Sequence, residues 1–282
     1  MLYRTLIGAD VLARHISDPS WVVIDCRFSL SDATAGEFAY EQGHIPGAYY
    51  AHLGKDLSAP VGEATGRHPL PDVAAMNHRV GGWGISPHSQ VVVYDDMNGA
   101  MAARLWWLLR WLGHDAVAVL DGGWQQWLAD GWESHQSPHV ALPAMHKGEG
   151  SRDMWLSAAE VEKQIEENEI LLLDARTPER FRGEVEPIDP VAGHVPGAMN
   201  RPFQLNVDKQ GLFKPRHQLA QEFGRLLSGR PAEQVVHMCG SGVTACHNLL
   251  AMEYAGLAGS RLYAGSWSEW ICDLNRPVGK SG

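Results

Sequence analysis

Cys239 is the residue whose surroundings most clearly indicate chemistry. It ends an apolar run and is followed by the turn Gly240-Ser241-Gly242 and then by a helical pattern, in the segment VVHMCGSGVTACHNLLAMEY. In such a turn, successive backbone N–H groups and the positive end of the following helix point at one spot and stabilise an anion there. Environments of this kind lower the pKa of a thiol from about 8.5 and make it nucleophilic near neutral pH. The pattern therefore predicts a reactive cysteine.

Two chemistries use this loop design, phosphoryl transfer and sulfur transfer. A cysteine phosphatase needs an arginine six residues after the nucleophile, because a guanidinium must hold the phosphate oxygens through paired hydrogen bonds. That position is Ala245, and the stretch from Gly240 to Ala245 contains neither Lys nor Arg. The same loop can hold the outer sulfur of a persulfide. The spacing therefore favours sulfur transfer.

The other cysteines predict no second centre. The chain has Cys26, Cys239, Cys246 and Cys272 without a CxxC pair, so neither a disulfide framework nor a zinc site is expected. We predict that Cys246 and its neighbour His247 are a small apolar filler or a surface pair, rather than that Cys246 is a resolving thiol. Cys26 and Cys272 are predicted to be packing residues.

A duplicated unit organises the chain. Four segments recur in the same order in the two halves, and the pairs are IDCR (24–27) with LDAR (173–176), GHIPGA (43–48) with GHVPGA (193–198), QVVVYD (90–95) with QVVHMC (234–239), and LDGGWQQW (120–127) with YAGSWSEW (263–270). A period of roughly 145 residues is too long for a solenoid and indicates a duplicated domain.

Within each half, short β-branched runs alternate with helical patterns such as AARLWWLLRWLG and HNLLAMEYAGL. This alternation predicts an α/β fold, and the continuous apolar strands suit a parallel sheet with helices on both faces. We predict one such domain over residues 1–136 and a second over 151–282. The polar segment 137–150, which contains Pro and Gly, is the predicted linker.

The composition of the chain argues against several classes of function. The chain has 282 residues, of which 45% are hydrophobic and 20% charged, enough for two globular domains. The formal net charge of -10, without a basic stripe, argues against a nucleic-acid partner. No stretch approaches the ~18 apolar residues of a membrane span, and the N-terminal segment lacks the pattern of a signal peptide. We therefore expect a cytoplasmic protein without a membrane partner.

Together these segments resemble the tandem-domain rhodanese family, and the loop CGSGVT is similar to that of its mercaptopyruvate sulfurtransferase branch. The resemblance covers nearly the whole chain, including both D-x-R strand ends, both GH[IV]PGA turns and both G-G/S-W turns. It implies two tandem rhodanese-like domains and one active site per chain. In the family the first domain has lost its nucleophile, and here Asp95 stands at the position of Cys239.

The resemblance also implies roles for residues of the loop. Cys239 would be the nucleophile, and Ser241 would help to polarise the substrate. Thr244 would assist in stabilising developing charge. The remaining loop positions expected to contact the substrate are Gly240, Gly242 and Val243.

The same resemblance implies that residues outside the loop contact the substrate, and it makes three of them candidates. Arg180, in ERFRG, would hold the carboxylate of the substrate. A second carboxylate-binding arginine, usual nearer the GHVPGA turn, is missing from EVEPIDPVAGHVPG, and Arg182 is the candidate to replace it. His44, in the first GHIPGA turn, is similar to a family histidine that faces the active site.

The implied activity is sulfur transfer from 3-mercaptopyruvate to cyanide, a small thiol or a protein thiol, through a persulfide on Cys239 and without a metal or organic cofactor. Thiosulfate is the alternative donor, although members that prefer it typically carry Arg-Lys where this chain has Gly240-Ser241. A third alternative is a non-enzymatic sulfur-relay or binding module, in which Cys239 accepts sulfur from another protein and passes it on.

Overall fold

The computed structural model describes residues 2–137, 139 and 142–280, which form two compact units. The first comprises residues up to 59, 71–151 and 209–213, and the second comprises 60–70, 152–208 and the residues from 214 on. Segment 60–70 thus packs within the second unit, although the chain on either side of it belongs to the first. The predicted domain and linker boundaries stay predictions, and within them residues 1, 138, 140, 141, 281 and 282 lie outside the described residues.

The described residues of the first unit form five strands and six helices. The strands are β1 (Leu6–Ile7), β2 (Trp21–Asp25), β3 (Tyr49–Tyr50), β4 (Gln90–Tyr94) and β5 (Val117–Leu120). The helices are α1 (Ala9–His15), α2 (Ala35–Gln42), α3 (Leu53–Asp56), α4 (Val73–Gly82), α5 (Ala102–Trp111) and α6 (Gly123–Ala129).

The second unit repeats this plan. Its strands are β6 (Trp155–Leu156), β7 (Leu171–Asp174), β8 (Met199–Asn200), β9 (Val235–Met238) and β10 (Arg261–Tyr263). Its helices are α7 (Ala158–Glu166), α8 (Pro178–Arg182), α9 (Arg216–Leu227), α10 (Ala245–Ala255) and α11 (Ser266–Trp270), with short 3₁₀ turns at Arg152–Met154, Phe203–Asn206 and Ala232–Gln234.

Each unit is built on one five-stranded sheet in which every neighbouring pair is parallel. The strand orders are β1-β5-β4-β2-β3 and β6-β10-β9-β7-β8. All five residues of β4 and all four of β9 are buried, because parallel sheets are covered on both faces. The prediction of two α/β domains with parallel sheets is confirmed. The strands that precede Asp95 and Cys239, β4 and β9, are the central strands of their sheets.

The helices that follow the central strands are themselves largely buried. All of α5 except Arg110 is buried, and α10 is buried except at Glu253 and Tyr254. A helix that is apolar on nearly all sides belongs inside a core, and it fixes the loop that precedes it. Among the described residues, no helix is both long enough and apolar enough to cross a membrane.

A buried ion pair closes the carboxyl end of β2 in the first unit. Asp25 is fully buried and accepts hydrogen bonds from Arg27 Nε and Nη2, and Arg27 Nη2 also donates to the carbonyl of Gly43 at 2.7 Å. Burial raises the pKa of Asp25, while the bonds from Arg27 oppose that change. Arg27 therefore offsets part of the cost of burying this carboxyl group and ties the GHIPGA turn to the sheet.

Replacing Arg27 by Met should destabilise the first unit by ~3–5 kcal/mol, because it leaves the buried Asp25 carboxylate without its partner. The urea midpoint of unfolding, followed by circular dichroism, measures the change. Arg14→Met is the control: its pair with Asp10 is exposed on α1, so its removal should cost less than about 1 kcal/mol. Equal shifts for the two variants would contradict this account.

Candidate active site

Cys239 follows β9 directly and is almost completely buried. Its backbone N–H donates to Ser266 Oγ at 3.1 Å, and its carbonyl accepts from Trp267 N–H at 3.1 Å. The next carbonyl, of Gly240, accepts from Ser268 N–H at 2.9 Å. The turn that begins α11 therefore fixes the cysteine and the first residue of its loop.

The rest of the loop depends on Gly242. Its φ is +77°, in the left-handed region, and a Cβ atom at this position would collide with the carbonyl oxygen of Ala264. Only glycine fits such a position without displacing its neighbours. Val243 is buried, and Thr244 is partly exposed at the start of α10. The predicted loop residues thus lie together between the central strand and its buried helix.

The equivalent loop of the first unit surrounds a carboxylate group, that of Asp95. Asp95 follows β4 as Cys239 follows β9, and its buried carboxylate accepts four backbone hydrogen bonds of 2.7–2.8 Å. The donors are the N–H groups of Met97, Gly99, Met101 and Ala102. Burial raises the pKa of Asp95, and the four hydrogen bonds oppose that change. The loop is therefore an anion cradle in the first unit.

The two loops share one backbone feature, although the residue after it is left-handed only in the first unit, at Gly99 (φ +89°). Asn98, at φ +57°, occupies the position of Gly242, so both loops have a left-handed residue three positions after the strand-end side chain. From this shared turn we expect the loop of the second unit to place backbone N–H groups around the Cys239 sulfur, as the first places them around Asp95. This environment suits a thiolate or a persulfide anion.

Ser241 has a partner that the sequence analysis missed. Its Oγ lies 2.7 Å from His68 Nδ1, and both side chains are buried. His68 belongs to segment 60–70, which packs within the second unit. No local pattern marks His68, because its partner lies 173 residues away in the chain. A hydroxyl hydrogen-bonded to an imidazole beside a nucleophilic cysteine can exchange a proton with a substrate.

Arg180 lies beside the loop, within a cluster of charged groups. It donates to Glu186 at 2.7 and 3.1 Å and to Asp189 at 3.1 Å. Burial opposes ionisation of Glu186, but hydrogen bonds from Arg180 and the backbone hold the pKa of that carboxyl below its usual range. Burial raises the pKa of Asp189. The role of Arg180 in binding substrate stays a prediction, whereas its location beside the loop is observed.

A second guanidinium, that of Arg67, reaches the same place. A Cβ atom built on Gly240 would lie 2.8 Å from Arg67 Nη2 and 3.5 Å from Arg180 Nη2. The loop itself contains no Lys or Arg, but cations reach it from two other parts of the chain. Arg182 instead pairs with Glu184 in an exposed contact on α8.

Asp174 and Arg176 form the counterpart of the pair described in the first unit. Arg176 donates to Asp174 through Nε and Nη2, donates to the carbonyl of Gly193, and lies 4.8 Å from the ring of Trp267. These contacts are structural, since they hold the GHVPGA turn and the α11 turn against the sheet.

The contacts of His44 are those of a histidine that stabilises the fold. It is fully buried, stacks on Tyr40, and its ring nitrogens lie 2.8 Å from the carbonyl of Tyr40 and 3.2 Å from that of Ser137. His194, at the same place in the second unit, likewise stacks on Phe181 and contacts its carbonyl at 2.7 Å. The substrate-binding role of His44 stays a prediction.

The remaining cysteines differ in their surroundings. Cys26 is buried, as predicted. Cys246 is buried as well, which selects the filler over the surface pair, and its Sγ lies 3.4 Å from the carbonyl of Gly242. The prediction of a packing role for Cys272 is wrong: it is exposed, because it lies just beyond the last turn of α11. None of the four cysteines forms a disulfide bond within the described part of the chain.

Fold and site together define a class: a duplicated parallel α/β protein that carries one cysteine in an anion-binding loop at the end of a central strand. Comparisons with known proteins identify the family. The model of the rhodanese-like domain matches residues 8–130 and again 157–272. The chain belongs to the tandem rhodanese sulfurtransferase family.

Named relatives match over almost their full length. A Pseudomonas aeruginosa protein named "Probable 3-mercaptopyruvate sulfurtransferase" is 50% identical over 275 residues, covering 97% of each chain. The rat thiosulfate sulfurtransferase is 31% identical over 282 residues, covering 96% of this chain and 93% of its own. The crystal structure of SseA from Escherichia coli, described as a 3-mercaptopyruvate sulfotransferase with the rhodanese fold, superimposes with a TM-score of 0.81 at 31% identity, covering 94% of this chain and 100% of its own.

Gly242→Ala should lower the rate at which iodoacetamide alkylates Cys239 by roughly tenfold, the change produced by losing about 1.4 kcal/mol of thiolate stabilisation. The added methyl group displaces the loop from the carbonyl of Ala264. Peptide mass spectrometry gives the rate at Cys239, and the exposed Cys272 serves as an internal standard that should not change.

Gly224→Ala is the matched control, because a Cβ atom at that helical position of α9 meets no neighbour. It should leave both alkylation rates unchanged. Normal alkylation of Cys239 in the Gly242→Ala variant would show that the loop does not set the reactivity of the thiol.

Proposed function

We propose that this protein is an enzyme that takes sulfur from 3-mercaptopyruvate, holds it as a persulfide on Cys239, and delivers it to a thiophilic acceptor. The observation that carries this proposal is the position of the buried Cys239. It begins a loop whose equivalent in the first unit binds the Asp95 carboxylate through four backbone N–H groups. The Pseudomonas aeruginosa relative and the SseA structure support the choice of donor through their names.

In the first half-reaction the Cys239 thiolate attacks the sulfur of 3-mercaptopyruvate. An S–S bond forms on Cys239 while the C–S bond of the donor breaks. The electron pair of that bond remains on the donor carbon as the enolate of pyruvate. A proton then converts the enolate into pyruvate, and the persulfide remains in the loop.

Ser241 and His68 suit the proton and charge movements of this step. The Ser241 hydroxyl, polarised by His68 at 2.7 Å, donates to the keto oxygen of the donor and stabilises negative charge as the enolate forms. Thr244 and the backbone of Gly240, Gly242 and Val243 complete the surroundings of the sulfur in this proposal.

The carboxylate of the donor requires a cation near the thiol. Arg180 lies beside Gly240 and presents a guanidinium of the geometry that binds carboxylates through paired hydrogen bonds. His44 remains a proposed contact of the substrate, carried over from the family resemblance.

In the second half-reaction an acceptor thiolate or cyanide attacks the outer sulfur, which leaves Cys239 as the thiolate. The acceptor proposed is cyanide, a small thiol or a protein thiol, and the kinetics are ping-pong. A cytoplasmic location belongs to the same proposal, since cysteines that form no disulfide among the described residues suit a reducing compartment.

Thiosulfate is the second candidate donor, and the observation in its favour is the pair of guanidinium groups beside the loop. Arg67 and Arg180 together offer the charge that a sulfonate requires, and the relatives include a thiosulfate sulfurtransferase. In that reaction Cys239 would take the outer sulfur and sulfite would leave.

The test is steady-state kinetics of the wild type and Cys239→Ser with 3-mercaptopyruvate and with thiosulfate, using cyanide as acceptor. We expect a higher kcat/KM for 3-mercaptopyruvate, and no turnover by Cys239→Ser because the attacking thiolate is lost. Mass spectrometry of the wild type after donor alone should show one added sulfur atom on the peptide that contains Cys239.

Cys246→Ser is the control, because that thiol is buried behind the loop and should not carry sulfur. A higher kcat/KM for thiosulfate than for 3-mercaptopyruvate would make thiosulfate the preferred donor and overturn this part of the proposal. If neither small donor turns over, the enzymatic proposal fails and a sulfur-relay module replaces it.

A further inference from the structure

Arg67 is placed in the second unit by contacts along its own segment. Its backbone N–H donates to Ser268 Oγ at 3.0 Å, and the preceding Gly66 lies so close to Gly265 that a Cβ atom there would meet the Gly265 carbonyl at 2.5 Å. Ser268 in turn donates its N–H to the carbonyl of Gly240. The same short turn therefore fixes both Arg67 and the catalytic loop.

The guanidinium of Arg67 has unused hydrogen-bonding capacity. Among the described residues, neither Nε nor Nη1 has a hydrogen-bond partner, although both atoms are buried. Nη2 lies 3.4 Å from Asp189 Oδ2, which is a looser contact than the 2.7 Å pair of Arg180 and Glu186. A buried charged group with unmet donors favours an acceptor that can reach them.

Arg67 approaches the stretch from which the family's second arginine is missing. Asp189 lies in that stretch, EVEPIDPVAGHVPG, and its Oδ2 is shared by Arg67 Nη2 and Arg180 Nη2. One buried carboxylate therefore holds two guanidinium groups on the same side of Gly240. The side chain of Arg67 keeps 28% of its surface exposed, so part of it borders solvent although Nε and Nη1 are buried.

We propose that Arg67 is the second arginine of the donor site, where its guanidinium and that of Arg180 bind the carboxylate of the sulfur donor. The inference rests on the proposed function and names a residue that determines its specificity. A carboxylate held by Arg67 is an acceptor for the donors that the fold leaves unpaired. Arg182, whose guanidinium is engaged by Glu184 and Glu179, has no part in this site.

The test compares a charged donor with an uncharged one. Mercaptoacetone carries the same thiol and ketone as 3-mercaptopyruvate but has a methyl group in place of the carboxylate. In Arg67→Met, kcat/KM for 3-mercaptopyruvate should fall about 10- to 100-fold, mainly through KM, because a charge-assisted contact is lost. The kcat/KM for mercaptoacetone should stay close to the wild-type value.

Two variants complete the design. Arg67→Lys keeps the charge without the planar fork and should recover part of the preference for 3-mercaptopyruvate. Arg182→Met removes an exposed arginine of the same unit and should leave both donors unaffected. Turnover of mercaptoacetone by Arg67→Met also shows that the variant is folded.

The outcomes separate this inference from the proposed function. Unchanged kinetics of Arg67→Met with 3-mercaptopyruvate, or equal losses with both donors, would overturn the role of Arg67 while leaving the proposed function intact. Failure of the wild type to use 3-mercaptopyruvate would overturn the proposed function itself.

Discussion

The convergence of backbone N–H groups on Asp95, at the carboxyl end of a central parallel strand, is the interaction around which the first unit is built, and Cys239 follows the equivalent strand of the second. Such a convergence requires a strand buried on both faces, a helix buried nearly all round, and a left-handed residue between them, Asn98 in one unit and Gly242 in the other. Because the donors to Asp95 are main-chain groups, they do not depend on the side chains of the loop. What differs between the units is that side chain, Asp95 or Cys239.

The sequence was sufficient for the architecture because the fold depends on local patterns that occur twice. Apolar runs, helical periodicity and the repeated GH[IV]PGA turns predicted two α/β units, and the Gly-rich turn after Cys239 predicted a nucleophile held by a loop. These signals lie within a few residues of one another, so spacing alone reveals them.

The parts of the site that escaped sequence analysis are those assembled over long distances. His68 and Arg67 lie in a segment whose neighbours along the chain belong to the first unit, and they meet Ser241 and Asp189 only after folding. Nothing local in GRHPLP predicts a charge or an imidazole beside a cysteine more than 170 residues away. The contacts of Arg182 were equally beyond the reach of the sequence. It was a candidate to replace the missing arginine, and in the structure it forms an exposed ion pair with Glu184.

Asp95 shows a further consequence of the duplication. In the first unit the anion is covalently part of the chain, so the cradle is permanently occupied and its hydrogen bonds are a constant part of that unit's stability. In the second unit the proposed occupant is a sulfur that changes form during each cycle, from thiolate to persulfide and back. One copy of the loop therefore contributes constant hydrogen bonds to the fold. In the proposed cycle, the strength of the hydrogen bonds in the other copy changes with the chemical state of Cys239.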